Sequence, residues 1–488
     1  MNMVKSLLLG SSAALIAMGG AQAADLPLKA KAVEYVKVCS IYGAGFYYIP
    51  GTDTCIKIGG YLRADATIYG SGNYDRPAWS GAAGAKSRLA NNTIMHARQD
   101  INLDTRTATE YGVVRTYFDA TFNWGSGGNF GAADGVAAGN LGVYYAFIQF
   151  AGFTFGKAVS QFDTPWTGYP GNNSSFLIGG YDDVTGINQV SYTAEFGNGV
   201  SGSISLEDQS SYLQSGLYNT SNITAATYAQ GVLGTNSYAG TQIPDIVGKI
   251  RVDQAWGLFQ VSAAAHQVRA SYYNLADETS GHPSDTWGYA VQGALSLKNL
   301  PTGPGDSINF TATYANGATR YVIGGVSPNS FAIYGSSGIA YQSIAFGSSA
   351  DGVFSGTSIA NGSSISKTNA WGVRGAFNHN WTPTWSTSLF GSYSAIDYNG
   401  TATARICATA VGFTCNPDFR IAQIGQVTRW TPVKNLTFSG EVMYTYLDQS
   451  NSGTLAIPAI AAIAKPATAY EFKDQGVWSG NLRVQRNF

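Results

Sequence analysis

Residues 96–106 read His-Ala-Arg-Gln-Asp-Ile-Asn-Leu-Asp-Thr-Arg, and residues 114–123 read Val-Arg-Thr-Tyr-Phe-Asp-Ala-Thr-Phe-Asn. In both stretches every second residue is charged, polar or tyrosine, while most of the residues between them are apolar or small. This period of two predicts β-strands, because successive side chains of a strand point to opposite faces of its sheet. Each strand therefore has one charged face and one largely apolar face.

The same period recurs along the chain and predicts sixteen strands. Their predicted ranges are 56–69, 93–107, 111–124, 141–151, 152–159, 187–197, 199–207, 245–255, 257–268, 286–299, 305–316, 369–381, 384–397, 419–431, 434–447 and 476–488. Short turns join strand 2 to 3, strand 4 to 5 and so on, whereas every other connection has about 16 to about 52 residues. Short turns on one side and long loops on the other are typical of an outer-membrane β-barrel.

The physics of a lipid bilayer explains both patterns. A lipid-exposed sheet has to close, so that every backbone amide finds its hydrogen-bond partner within the sheet. The inner faces of the predicted strands carry charges that a packed soluble core would not accept unpaired. We therefore predict an all-β fold, a 16-stranded antiparallel transmembrane β-barrel with a water-filled lumen.

The tryptophans support these strand ends. Eight of the ten lie within about three residues of a predicted end, where transmembrane barrels carry girdles of aromatic side chains. They are Trp124, Trp256, Trp287, Trp371, Trp381, Trp385, Trp430 and Trp478. In the core of a soluble protein, tryptophan would instead favour the middle of a strand.

Composition excludes some classes of protein. Charged residues make up 12% of the chain, about half of the ~25% typical of soluble domains, and the formal net charge is −1. A nucleic-acid-binding protein needs a basic face, which this balance does not supply. Low charge combined with 13% aromatic residues also argues against disorder.

The first residues resemble a secretory leader. Lys5 precedes an apolar run from Leu7 to Met18, which is followed by Ala21-Gln22-Ala23. This order is typical of a signal peptide, and the run is shorter than the ~20 residues that a transmembrane helix needs. We predict a signal peptide over residues 1–23, an N-terminal periplasmic segment over 24–55 and the barrel over 56–488.

A stretch at the start of the predicted barrel resembles the signature of a known family. The segment Cys39-Ser-Ile-Tyr-Gly-Ala-Gly-Phe-Tyr-Tyr-Ile-Pro-Gly-Thr-Asp-Thr-Cys55, continuing Ile-Lys-Ile-Gly-Gly-Tyr-Leu-Arg63, resembles the N-terminal signature of the alphaproteobacterial porin family. Phe488 is similar to the C-terminal residue by which outer-membrane barrels are recognised for assembly. The resemblance implies a homotrimer among outer-membrane lipids, passive passage of small hydrophilic solutes and ions, and a third long loop folded into each barrel. It gives no role for the unusually long loop 317–368.

The four cysteines are an even number, which in an exported chain favours disulfides. The loop pattern places Cys39 and Cys55 on the periplasmic side and puts the other two in the seventh outer loop. Opposite faces of the membrane forbid cross-pairing, so we predict the disulfides Cys39–Cys55 and Cys407–Cys415. Free thiols are the alternative. The chain has no C-x-x-C motif, and its four histidines are scattered, so the sequence favours neither a metal site nor a cofactor.

The predicted constriction has a basic wall and an acidic loop. Closure makes strands 1–3 and 16 neighbours, and their inward arginines are Arg63, Arg98, Arg106, Arg115 and Arg483. The third long loop, about 160–186, carries Asp163, Asp182 and Asp183 and no lysine or arginine. The resemblance to porins suggests that the two sets face each other and place a transverse field across the pore. The alternative is that Asp100, Asp104 and Asp119 of the same wall pair with these arginines across strands.

The sequence supports other functions less well. Gly197-Asn198-Gly199-Val200-Ser201-Gly202 matches a dinucleotide-binding fingerprint, but a strand follows it where that fingerprint requires a helix. A substrate-selective channel with a saturable site is the main alternative, and a barrel enzyme or an adhesin is less favoured. Small outward residues on strands 1 and 2, such as Ala64, Ala66 and Ala97, suggest that these strands face a neighbouring subunit.

Overall fold

A computed structural model describes residues 37–69, 86, 91–125, 139–173, 177–181, 185–224, 227–228, 233–324, 329–336, 342–410, 412–459 and 467–488. The predicted signal peptide lies outside these residues. Sixteen strands form the barrel, and we number them in chain order. They are β1 Cys55–Ile68, β2 Thr93–Thr109, β3 Gly112–Gly125, β4 Gly139–Phe150, β5 Phe153–Ala158, β6 Ile187–Gly197, β7 Val200–Glu207, β8 Asp245–Gln254, β9 Gly257–Val268, β10 Thr286–Lys298, β11 Ser307–Asn316, β12 Asn369–Asn380, β13 Trp385–Asp397, β14 Phe419–Val433, β15 Leu436–Gln449 and β16 Gln475–Asn487.

Each strand pairs antiparallel with the next, and the first pairs with the last. Ile68 of β1 lies opposite Gly480 of β16, and Tyr61 lies opposite Asn487. The sheet therefore closes and leaves no free edge, which is the condition for a sheet that spans lipid. The predicted 16-stranded barrel is confirmed, and each predicted strand agrees with its observed bounds to within two residues at either end.

The two faces of the barrel differ as the alternation predicts. On β1, Leu62 is 55% exposed on the outer face, whereas Asp65 on the inner face is 4% exposed. All eight tryptophans near strand ends are exposed, from 39% for Trp430 to 65% for Trp381. Large exposed apolar side chains on so many strands suit contact with lipid.

Four long loops build further structure at one end of the barrel. Their strands are Gly216–Asn219, Ser330–Ser336, Gln342–Ser348, Ala350–Phe354, Ser366–Lys367, Phe413–Thr414, Ser452–Ile457 and Thr468–Phe472. Their helical turns are Thr220–Asn222, Arg320–Ile323, Gly400–Ile406 and Cys407–Thr409. The 3₁₀ turn Glu278–Ser280 lies in the fifth long loop, and the turn Ser40–Tyr42 and the short strand Tyr47–Tyr48 precede β1. No helix among the described residues is long and apolar enough to cross a membrane.

These loop elements share one apolar core, which we call the loop cap. It brings together side chains from the fourth, sixth, seventh and eighth long loops. The ring of Tyr228 lies 5.0 Å from that of Phe346 and 5.6 Å from that of Phe413. Because such a core excludes water, the loop cap is a packed layer over part of the barrel.

Both predicted disulfides are present. Cys39–Cys55 closes a segment at the short-turn end, where the ring of Phe46 packs against the two cysteines. Cys407–Cys415 lies in the seventh long loop, as predicted. Each bond constrains a loop that leaves the barrel, which limits the freedom of that loop in the unfolded chain.

A carboxylate at the short-turn end makes one region of the barrel sensitive to acid. Asp306 accepts hydrogen bonds from Oγ1 of Thr302 at 2.7 Å and from the backbone N–H of Asn380 at 2.9 Å, and it pairs with His379. The bond from Thr302, followed by the others, lowers the pKa of Asp306 to about 2. A lowered pKa contributes stability above the ordinary carboxyl pKa, and that stability is lost as the pH falls through the lowered value.

We therefore expect Asp306→Asn to lower the unfolding temperature at pH 7, with the difference shrinking from about pH 4 downward and vanishing near pH 2. Thermal unfolding followed by circular dichroism at several pH values measures it. The control is Asp253→Asn, which removes an exposed carboxylate paired with Arg251. An equal difference at pH 7 and at pH 2 would contradict this role for the ionised carboxylate.

Candidate pore constriction

The third long loop, residues 159–186 and called loop 3 below, lies against the inner wall of the barrel. Polar side chains on successive strands bind its backbone carbonyls. Gln260 of β9 donates to the carbonyl of Asp163, and Gln292 of β10 to that of Phe162, both at 2.8 Å. Asn309 of β11 donates to the carbonyl of Pro170 at 2.7 Å. Loop 3 is therefore fixed to one side of the lumen.

Arg374 of β12 is the strongest of these attachments. Its guanidinium donates to the carbonyl of Leu177 at 3.2 Å, to that of Thr167 at 3.1 Å and to that of Tyr181. The side chain is 1% exposed, so all three bonds are shielded from water. Charged hydrogen bonds are stronger than neutral ones, and here one side chain joins three separated points of loop 3.

Farther round the barrel, β14 and β15 bind the same loop. Arg429 donates to the carbonyl of Gly171 at 2.6 Å and to Oδ1 of Asn173 at 3.1 Å. Gln423 accepts from the backbone N–H of Ile178 at 2.9 Å. Ser439 of β15 accepts from Nδ2 of Asn173 at 2.7 Å, and at the other end of the series Glu207 of β7 accepts from Oγ of Ser160 at 2.6 Å. The attachments thus run from β7 to β15, and the wall formed by β16 and β1–β4 is the side opposite loop 3.

A second long loop braces the first. Residues 320–323 of the sixth loop are buried, and the backbone N–H of Gly179 donates to the carbonyl of Val322 at 3.0 Å. The ring of Tyr321 lies 4.5 Å from that of Phe162. Burial raises the pKa of Tyr321 well above its usual range, and its hydroxyl donates to Asp245 at 2.7 Å. The sixth loop, 317–368, therefore enters the barrel and packs on loop 3.

The acidic residues predicted for loop 3 have different outcomes. Asp182 and Asp183 lie outside the described residues. Asp163 is 3% exposed, and its Oδ1 accepts from the backbone N–H of Thr164 at 2.7 Å. Its charge also lies close enough to interact with Lys249 of β8. Asp163 is therefore packed on the loop side of the lumen rather than presented openly to the opposite wall.

The five predicted arginines form two groups at different heights. Arg63, Arg98 and Arg483 form the upper group, in the middle of the wall. Arg106 and Arg115 form the lower group, at the short-turn end of β2 and β3. Eight residues separate Arg98 from Arg106 along β2, which corresponds to about 27 Å of strand.

Two members of the upper group, Arg63 and Arg483, share the carboxylate of Asp65. One oxygen of Asp65 lies 3.2 Å from Nε of Arg63 and 3.2 Å from Nδ1 of His96. Its other oxygen accepts from Nε of Arg483 at 2.7 Å. Arg63 and Arg98 lie directly opposite each other on β1 and β2, where like charges repel.

Arg98 has different partners. Its Nε donates to Oδ1 of Asn123, and its guanidinium carbon lies 5.6 Å from the centre of the Tyr144 ring. Arg98 also bonds to the side chain of Tyr61, so among the described residues its direct partners are an amide and tyrosines rather than a carboxylate.

Asp100 and Asp119, whose carboxyl groups hydrogen-bond to each other, also lie close enough for their charge to interact with Arg98. The upper group therefore holds three guanidinium groups, with Asp65 between two of them and this carboxyl pair beside the third.

The three aspartates that the sequence suggested as arginine partners, Asp100, Asp104 and Asp119, behave differently from one another. Asp104 pairs with the lower group, and its Oδ2 lies 2.9 Å from Arg106 and 3.0 Å from Arg115. Asp100 and Asp119 lie close to each other. Tyr117 donates to Asp119 at 3.4 Å. Of these three aspartates, Asp104 therefore forms the cross-strand ion pair with arginine, in the lower group.

Sequence reasoning missed Tyr144. Strict alternation places it on the outer face, next to the inward Tyr145. The register between β3 and β4 instead shifts, so that Asp119 lies opposite Tyr145 while Ala120 lies opposite Val143. This β-bulge skips Tyr144 and turns its ring toward Arg98, and bulges commonly re-aim side chains in this way. An extra tyrosine in an otherwise alternating run was the available signal.

Comparison with known proteins adds family evidence to this geometry. The family model described as the porin subfamily matches residues 25–481. The chain belongs to this porin subfamily. It is similar to porin Omp2b of Brucella suis, with 37% identity over 314 residues that cover 61% of this chain and 75% of Omp2b. It is also similar to porin Omp2a of Brucella ovis, with 37% identity over 321 residues that cover 61% and 80% of the two chains.

The fold of this porin has a solved counterpart. The outer membrane channel DcaP of Acinetobacter baumannii matches 90% of this chain and 99% of its own, with a TM-score of 0.57 and 15% identity. At that identity the likeness concerns the fold alone. Family and barrel together make the protein an outer-membrane porin of a Gram-negative bacterium, a channel for passive diffusion.

Proposed function

We propose that the narrow part of this pore lies between loop 3 and the upper group of Arg63, Arg98 and Arg483, and that it favours small hydrophilic anions over cations. The observation that carries the proposal is the set of three guanidinium groups on this wall, which exceeds the carboxylate of Asp65 and the hydrogen-bonded carboxyl pair of Asp100 and Asp119. Charges on low-dielectric walls act strongly on ions that pass near them. Loop 3 supports the proposal, because its described carboxylate, Asp163, is buried away from this wall.

Passage is passive and requires no cofactor in this proposal. A hydrated anion exchanges part of its water for hydrogen bonds from arginine, while an apolar solute loses its hydration without compensation. Membership of the porin subfamily points to a channel rather than to an enzyme. We also infer that residues 24–55 lie on the periplasmic side, because short turns of such barrels face the periplasm.

We further infer that the porin is a homotrimer embedded in outer-membrane lipids. The outer faces of β1, β15 and β16 contribute to a groove of about 570 Å³, whose lining includes the small residues Ala64, Ala66 and Gly440 beside the large Trp430 and Phe438. The small residues leave room for side chains of another subunit between the large ones. This supports the hypothesis that β1 and its neighbours face a partner copy.

Single-channel recording in a planar bilayer tests these proposals. With purified porin and unequal KCl on the two sides, we expect large ohmic steps that arrive in threes. We also expect a reversal potential whose sign shows that chloride is more permeant than potassium. A reversal potential set by potassium would reject the anion preference. Folded protein that gives no conductance would reject an open pore.

A further inference from the structure

Several aromatic rings face the lumen on β3 and β4, below the upper group. The rings of Tyr117 and Phe147 stack with centres 5.4 Å apart, and Tyr145 lies 6.3 Å from Tyr117. All three side chains are partly exposed on the inner face. An apolar ring such as that of Phe147 gains little from burial there, so packing alone does not account for its position.

These rings adjoin a cationic group. The guanidinium carbon of Arg115 lies 5.1 Å from the ring centre of Tyr117 and 5.5 Å from that of Phe147. Arg115 also pairs with Asp104, which it shares with Arg106. Two guanidinium groups and the ammonium group of Lys57, which lies opposite Asp104 on β1, outnumber this carboxylate and leave positive charge beside the rings. Asp119 lies at the hydroxyl end of Tyr117, from which it accepts a hydrogen bond at 3.4 Å.

The other side of this positive charge is also aromatic. The guanidinium carbon of Arg106 lies 4.9 Å from the ring centre of Phe46 and 5.7 Å from that of Tyr42. Both rings belong to the segment closed by the disulfide Cys39–Cys55. On the opposite flank, Gln149 accepts from Nη1 of Arg115 at 2.9 Å. The two arginines are therefore held in place before any solute arrives.

We propose that this cluster is a binding site for aromatic carboxylates in the short-turn half of the pore. The carboxylate of such a solute accepts hydrogen bonds from Arg115 and Arg106, and its ring packs against Phe147 and Tyr117. A small aliphatic carboxylate satisfies the arginines but has no ring, and a cation is repelled. The proposal rests on the open pore proposed above and adds a solute class to it.

Block of the KCl current by benzoate, compared with acetate, tests this site. Acetate carries the same charge without a ring. In wild-type porin we expect saturable block, with a half-blocking concentration about tenfold lower for benzoate than for acetate. Equal block by the two anions would overturn the site while leaving the channel function intact. A wild-type protein without KCl conductance would instead overturn the proposed function.

Variants locate the site. Tyr117→Ser combined with Phe147→Ser should remove most of the benzoate preference and keep the KCl conductance, which also reports correct folding. The matched control is Tyr111→Ser, which deletes a ring that is 73% exposed in the β2–β3 turn at the same end of the barrel. If the double variant does not insert, Phe147→Leu, which keeps an apolar side chain without a ring, should still weaken the preference. A preference retained in either inserted variant would overturn the proposal.

Discussion

Replacing Arg374 with alanine will loosen loop 3, raise the mean single-channel conductance and increase the noise of the open current. The guanidinium binds three carbonyls of loop 3 from a site that is 1% exposed. Each buried polar group left without a partner costs about 1–3 kcal/mol, so the loss of three such bonds amounts to several kcal/mol of attachment. Bilayer recording of the variant measures both effects.

Two further variants test whether the effect comes from the hydrogen bonds between Arg374 and loop 3. Arg374→Lys keeps the charge, but a single ammonium group lacks the planar fork of guanidinium, and we expect an intermediate noise level. Arg420→Ala serves as the control, because Arg420 binds Asp397 and the strand carbonyls of Ile396 and Phe419 rather than loop 3. Conductance and noise that stay at wild-type levels in Arg374→Ala would show that loop 3 does not depend on this residue.

Neutralising Arg63 and Arg98 together, as Arg63→Gln with Arg98→Gln, will abolish the anion preference. The change removes two of the three positive charges of the upper group and leaves the carboxyl groups of the same wall in place. A unit charge about 4 Å from a passing ion is worth about 1 kcal/mol in a water-like medium, so two charges change the chloride-to-potassium permeability ratio by about tenfold or more. The reversal potential in a KCl gradient measures this ratio.

The effect should also depend on salt. Screening shortens the reach of charges to about 3 Å at 1 M, against about 10 Å at 0.1 M, so the difference between wild type and variant should be largest in dilute KCl. The control is Arg251→Gln, which removes an arginine that is paired with Asp253 on β8. A double variant with the wild-type reversal potential would mean that the selectivity resides elsewhere in the pore.

The barrel could be predicted from the sequence because its strands obey a simple rule. Each spanning strand meets lipid on one side and water on the other, so polar and apolar residues alternate in stretches such as 96–106. The rule fails where the ladder itself is irregular. At Tyr144 a bulge adds one residue, and a pattern of alternate residues places that ring on the wrong face.

The loop cap and the details of the constriction could not be predicted from the local sequence pattern. The strand Gln342–Ser348 pairs in parallel with Thr468–Phe472, and Ala350–Phe354 pairs in parallel with Gly216–Asn219. These segments are short and distant in sequence, so no local period marks their pairing. The burial of Asp163 depends in the same way on Gln260 and its neighbouring strands, which loop composition does not reveal.

The pairing of β1 with β16 also has a consequence for assembly. Until residues 475–487 are in place, β1 and β15 each present an unpaired row of backbone amides and carbonyls. Open edges of this kind recruit other strands and are not tolerated in lipid. Closure joins segments more than 400 residues apart, a slow step by the usual relation between contact separation and folding rate. The two edges are therefore protected from other strands only once the first and last strands of the barrel have paired.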